Sequence, residues 1–422
     1  MVEINSIYKY GQDGEIVSEE IIQLFNLSER DVIYDKRRNV YKFDFVGFVF
    51  KGENILSVFP KHYYSSEEIN ALDKKMTNKN DDIKLLFSVI QKYSNNQTST
   101  AKAEHFIGSR NSFESDYPFY HFYRIYDYYR KYGLYKEISE VIKEGFQGKI
   151  SWKNTIRKAD VVVSSDSIIF VPLYTKKSNM LIGFITDCMA FVIDYTVSQF
   201  SDFISLKGTQ HSQKYFDYFS NIDYVVKKLN EINRDIRKDL DKLLVENLIE
   251  FFIQYKSKCM GGNIHVKINY FDMIWQTGIN TYLNSYFDSF DKDKNSIIFD
   301  LNRVESAVKF GPKQYTIDVS KNKFKVNLDH FSIDGNVLYI FDSKYYYDLN
   351  ELNYKQYSYN EFLRYLFPEV NEIISVLILP GDEVSRKHFE LDDSLKGDRI
   401  FGNEIYEQYI NVKNILISYI EN

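Results

Sequence analysis

Between Asn327 and Tyr347 the sequence reads NLDHFSIDGNVLYIFDSKYYY. Asp334-Gly335-Asn336 is a turn signal between two strand-like runs, so the segment is expected to fold back on itself as a hairpin. The second run is apolar, stops on a carboxylate at Asp342 and places an ammonium two residues later at Lys344. Residues i and i+2 of a strand share a face, so Asp342 and Lys344 point the same way. The hairpin also brings Asp329, at the end of the preceding strand-like stretch, beside Asp342.

The surrounding pattern predicts an α/β domain on a small mixed sheet. A helix is expected over 271–287, strands at about 314–319, 323–328 and 336–341, a helix around 353–366, a buried strand over 373–379 and a closing helix near 406–421. Upstream, YKFDFVGFVFKGENILSVFPKHYY (41–64) reads as a hairpin turning at 51–54, followed by a helix from 65 and a polar linker over 92–115. An aromatic packing helix is expected over 116–146, then long helices at about 179–206 and 213–257. The expected fold class is α/β (α+β) and multidomain: an N-terminal β-rich domain over 1–110, a helical middle region over 111–262 and a C-terminal domain with a central mixed sheet flanked by helices over 263–422. Trp152 is read as a core anchor, with base stacking as the alternative.

Composition narrows the chemistry. The net charge of −6 excludes a chain that coats nucleic acid through its overall charge, so any DNA contact must use a local patch or a partner. Two cysteines exclude a disulfide framework or a Cys-rich zinc site, and seven scattered histidines argue against zinc. The N-terminus has no apolar stretch, and the greasiest segment, 180–197, carries Asp187 and Asp194, so the expectation is a cytoplasmic protein without a membrane partner. No G-x-x-x-x-G-K-[ST] loop is present.

Two carboxylates and a lysine on one strand end suit a hard divalent ion. Mg²⁺ takes one or two carboxylates, with waters and substrate phosphate completing its shell, and Mn²⁺ can replace it. Asp329 and Asp342 are therefore the expected metal ligands, and Lys344 is placed to orient or deprotonate an attacking water. The bland alternative is a solvated edge with a modest ion pair.

Asp329 followed by Asp342-x-Lys344 resembles the PD-(D/E)XK nuclease signature, with Leu328 where that family often has proline. FVGFVFKGENILSVFPKHY (45–63), FYRIYDYYRKYGLY (122–135), GKISWKNTI (148–156), FDMIWQ (271–276), FDSKYY (341–346) and YKQYSY (354–359) occur in the order found in the LlaJI family of restriction endonucleases, similar to the McrC nuclease subunit of modification-dependent systems. The resemblance implies that the C-terminal domain is a PD-(D/E)XK nuclease with Asp329 and Asp342 on the metal and Lys344 as catalytic lysine. It places Gln356 near the site or the DNA backbone. Gln276 stands where relatives carry glutamate, which puts a second metal in doubt, with Asp272 one turn earlier as a substitute. It further implies an McrB-like AAA+ GTPase or ATPase hexamer as partner, engaged by the region before the nuclease domain.

The expected function is thus Mg²⁺-dependent cleavage of double-stranded DNA in a bacterial restriction system. The alternatives are a stand-alone RecB-like repair nuclease and a degenerate adaptor that only docks and stimulates the motor.

Overall fold

The computed structural model describes residues 7–421 apart from 53, 66, 69–79, 101–112, 148, 165–166, 182, 212–218, 260–262, 319–323, 383 and 398–401. It is a mixed α/β chain with several sheets, and its contacts divide it into two compact units: Met1–Tyr117 with Lys258–Asn422, and an inserted unit, Pro118–Ser257. No helix among the described residues is long and apolar enough to cross a membrane.

In the discontinuous unit, β1 (Tyr8–Gln12), β2 (Ile16–Val17), α1 (Glu19–Phe25), β3 (Val32–Asp35) and β4 (Val40–Phe43) lead into the expected hairpin, β5 (Val46–Lys51) and β6 (Asn54–Phe59). Lys51 pairs with Asn54 across the turn, where Gly52 adopts φ 61°. α2 (Asn80–Thr100) follows, then β7 (Phe113–Ser115), so 92–100 is helical rather than linker, while 101–112 and most of the helix expected from 65 lie outside the described residues.

The inserted unit begins with α3 (Phe119–Tyr132), which buries Phe119, Phe122, Ile125 and Tyr126 as an aromatic packing helix should. It stops at Gly133, φ 75°, and the rest of the expected helix is β8 (Glu137–Glu144). After β9 (Lys149–Ile150), α4 (Trp152–Lys158), β10 (Asp160–Ser164) and β11 (Ser167–Val171), β12 (Tyr174–Leu181) pairs antiparallel with β8 along its whole length. That sequence-distant partner overrides the helical pattern. The middle region is thus not purely helical. The long helix expected over 213–257 is two, α6 (Ile222–Asp235) and α7 (Asp239–Gln254), after α5 (Phe184–Gln199). The break at 236–238 lets the stripe of Ile222, Val225 and Leu229 fold back toward Leu244, Leu248 and Phe252.

The chain then returns as β13 (Asn263–Ile268), which joins the N-terminal sheet, order β1-β6-β5-β13-β7. Residues from 263 onward therefore do not all belong to one C-terminal sheet. Lys267 of β13 forms a buried ion pair with Asp31. Next come α8 (Asp272–Tyr286), β14 (Phe287–Asp291), β15 (Ser296–Phe299), β16 (Gly311–Thr316), β17 (Lys325–Asp334), β18 (Val337–Ser343), α9 (Tyr354–Leu366), β19 (Glu372–Pro380), β20 (Ser385–Glu390), α10 (Asp393–Lys396), β21 (Glu404–Ile410) and α11 (Val412–Glu421). The second large sheet has the order β16-β17-β18-β19-β21-β20. β18, β19 and β21 are parallel, with α9 as the crossover between the first two. The expected closing helix thus starts late: its first third is the buried parallel strand β21. α9 buries Tyr359 and Leu363 against Leu338 and Ile340 on one face. On the other, beneath α8, Phe287 meets Phe310 and Tyr339 edge to face while Phe310 stacks on Phe341. Gly278 allows α8 and α11 to touch, since a Cβ there would stand 2.6 Å from Ile415 Cγ2.

Candidate functional site

The hairpin register is antiparallel, with His330 opposite Phe341. One step further along the same register Asp329 faces Asp342, at the end where β18 and β19 finish side by side. Asp342 is buried and Asp329 half-buried. The Ser343 amide donates to Asp329 Oδ2 at 3.2 Å, and Lys344 pairs with Asp342 Oδ2. Lys344 is itself fixed by its backbone amide, which donates to Ile378 O at 2.8 Å. The structure therefore brings together Asp329, Asp342 and Lys344.

Two facing carboxyls in a sheltered place cannot both ionise freely. Burial, then a hydrogen bond and charge repulsion from Asp342, push the Asp329 carboxyl up to about 7. A divalent cation held between them would remove that conflict. The donor set fits such an ion: two hard carboxylates, one of them with a fully buried Oδ2 to which no hydrogen-bond donor is aligned, the Lys344 ammonium lying beside it. Asp329 and Asp342 are the residues that would hold it. No group of three or more His, Cys, Asp or Glu side chains that could hold a metal occurs among the described residues. A further carboxylate on the same level, Glu407, reached from Asp342 through Leu377, is taken by Arg386 at 2.6 Å, His388 at 2.6 Å and Tyr409 at 2.8 Å.

The two glutamines lie differently. Gln356 is fully buried, donating to Ile340 O at 3.0 Å and Ser375 Oγ at 2.8 Å. It ties α9 to β18 and β19, because its amide satisfies polar atoms that α9 would otherwise cover. Gln276 is half-buried on α8, one turn before Asn280, and hydrogen-bonds neither aspartate among the described residues. Asp272 is exposed at the start of α8, and its charge is felt by Asp13.

Three contributors were not singled out in the sequence. His330 is fully buried, its Nδ1–H donating to Asn280 Oδ1 at 3.2 Å and its Nε2 accepting from Ser343 Oγ at 2.6 Å. Burial drives its pKa down to about 3, so it is a neutral brace beneath the hairpin end. Lys355, beside Gln356, faces the carboxylates from α9. Burial opposes its charge, but Asp342, Tyr359 and Asp329 more than offset that and hold its pKa above the usual lysine range. The signal for Lys355 was its place in YKQYSY; for His330 and Asn280 there was none, because their pairing spans fifty residues.

In the inserted unit Trp152 is 55% exposed and meets Phe170 edge to face, so it is not a core anchor.

No family model matches the chain, and no curated protein matches it. Among solved structures it is similar to one described as a refined half-complex from a tetradecameric assembly of Thermococcus gammatolerans McrB AAA+ hexamers with bound McrC, at 11% identity and a TM-score of 0.37 over 99% of each chain.

Proposed function

We propose that the chain is the DNA-cleaving subunit of a bacterial restriction system, hydrolysing phosphodiesters of double-stranded DNA with Mg²⁺ and working with an McrB-like AAA+ motor. The observation that carries this reading is the Asp329–Asp342 pair with Lys344 alongside. A metal ion bound there supplies charge neutralisation at phosphorus and a water acidic enough to attack at neutral pH. Asp329 and Asp342 would hold that ion, and Lys344 Nζ lies on the same strand face, where it orients the water and takes part in its deprotonation. Lys355 adds a second positive charge toward the incoming phosphate.

Support for a partner comes from the inserted unit. The β10–β11 hairpin leaves Val161, Val162, Val163, Ile168 and Ile169 exposed on its two faces, with Val163 73% exposed. The sequence has no phosphate-binding loop, so nucleotide hydrolysis would belong to another chain. Supercoiled plasmid incubated with Mg²⁺, with and without the motor and its nucleotide, tests the proposal. Cleavage by the chain alone would favour the stand-alone nuclease. No cleavage, with the motor still stimulated, would favour the adaptor.

A further inference from the structure

The residue after Lys344 is held by the N-terminal sheet. Tyr345 is buried, and its hydroxyl accepts a hydrogen bond from the Lys61 backbone amide at 2.8 Å. The Lys61 ammonium lies 4.1 Å from the Tyr345 ring centroid and pairs with Asp13 Oδ2 at 2.8 Å. Two residues further, the Tyr347 hydroxyl donates to Asp13 O at 2.7 Å, and His62 Nε2–H donates to Tyr347 O at 3.1 Å. Gly14, φ 83°, permits this closeness, since a Cβ there would stand 2.6 Å from Tyr347 Cε2. His62 itself adopts φ 59°, a left-handed conformation that a non-glycine residue holds only when its surroundings impose it. The Pro60-Lys61-His62 turn that closes β6 is thereby fastened to the segment that leaves β18.

We propose that Asp13 and Lys61 are positioning residues for the cleavage site: by holding Tyr345 and Tyr347 they fix the backbone on the far side of Lys344, whose near side is fixed by Ile378. An ion pair between a buried Asp13 and a half-buried Lys61 is a poor device for stability alone, because desolvation cancels much of its attraction. Its use here is geometric. It clamps an aromatic ring from above while Phe271 and Trp275, at centroid distances of 5.3 and 6.5 Å, pack against it. Displacement of a reacting group by about 1 Å costs on the order of a hundredfold in rate. The proposal rests on the reading of Asp329, Asp342 and Lys344 as the cleavage site.

The test compares Lys61→Met, Lys61→Arg and Tyr347→Phe with the native chain, each checked for folding by circular dichroism, in plasmid cleavage with Mg²⁺ and the motor. The expected result is a kcat lowered about tenfold or more in Lys61→Met with KM for DNA within about twofold, partly restored in Lys61→Arg, and a smaller loss in Tyr347→Phe. Native kcat in a folded Lys61→Met, or a loss confined to KM, overturns the proposal. A second readout does not need cleavage. Trp152 and Trp275 are the two tryptophans, so in a Trp152→Phe background the chain alone reports through Trp275. Lys61→Met and Tyr347→Phe are expected to shift that emission to the red as Tyr345 loosens. If the native chain never cuts DNA, the nuclease reading fails while the emission still judges the clamp: an unchanged spectrum in both variants overturns it.

Discussion

Asp329 and Asp342 face each other across the β17–β18 hairpin, and burial, with a hydrogen bond and charge repulsion from Asp342, lifts the Asp329 carboxyl to about 7. They are brought together by an Asp-Gly-Asn turn, and the parallel strand β19 beside them supplies a rigid floor.

Removing either charge at the strand end should end cleavage. Asp342→Asn and Lys344→Ala are expected to lower plasmid cleavage by about a hundredfold or more while leaving the far-ultraviolet spectrum unchanged. Asp342→Asn that cuts at the native rate would show the assignment to be wrong.

The raised Asp329 carboxyl has a thermodynamic sign. Its folded pKa lies above its ordinary value, so its contribution favours folding at low pH and is lost as pH rises from about 4 through about 7. In the absence of divalent ions Asp329→Asn should therefore melt above the native chain at pH 8, with a smaller difference at pH 5. Equal differences at both pH values would contradict this.

Metal binding should repair the same conflict. Mg²⁺ or Mn²⁺ is expected to raise the melting temperature of the native chain by a few degrees at pH 8 and by less at pH 6, and to leave Asp342→Asn unmoved. Isothermal titration calorimetry of the two proteins checks the point directly.

Gln356 is a structural tie, so Gln356→Ala should act on stability. Loss of two buried hydrogen bonds and creation of a cavity are expected to cost about 2–4 kcal/mol, read from urea denaturation. Cleavage per folded molecule should fall far less than in Asp342→Asn.

Gly278→Ala would force a methyl against Ile415 where α8 and α11 touch. A destabilisation of about 1–3 kcal/mol is expected, relieved by Ile415→Ala, which removes Cγ2, in the double variant.

The hairpin, its two aspartates and Lys344 were legible because turn chemistry and strand alternation are local. Gln356 was legible as a residue of interest, but not its role: burial depends on α9 crossing β18 and β19. The strand Glu404–Ile410 was missed because its short run of apolar and polar residues suits either period, and a parallel neighbour decided it. The link between Lys61 and Tyr345 was hidden for a related reason, as it joins positions 284 residues apart. FPKHY was visible as a block, yet its physical meaning required the N-terminal sheet and Asp13 to be in place.

The most direct measurement is cleavage of supercoiled plasmid by the purified chain with Mg²⁺, the proposed AAA+ motor and nucleotide, beside Asp342→Asn. The account predicts linear or nicked product from the native chain and none from the variant. Product from both, or from neither while the motor hydrolyses its nucleotide faster, would contradict it.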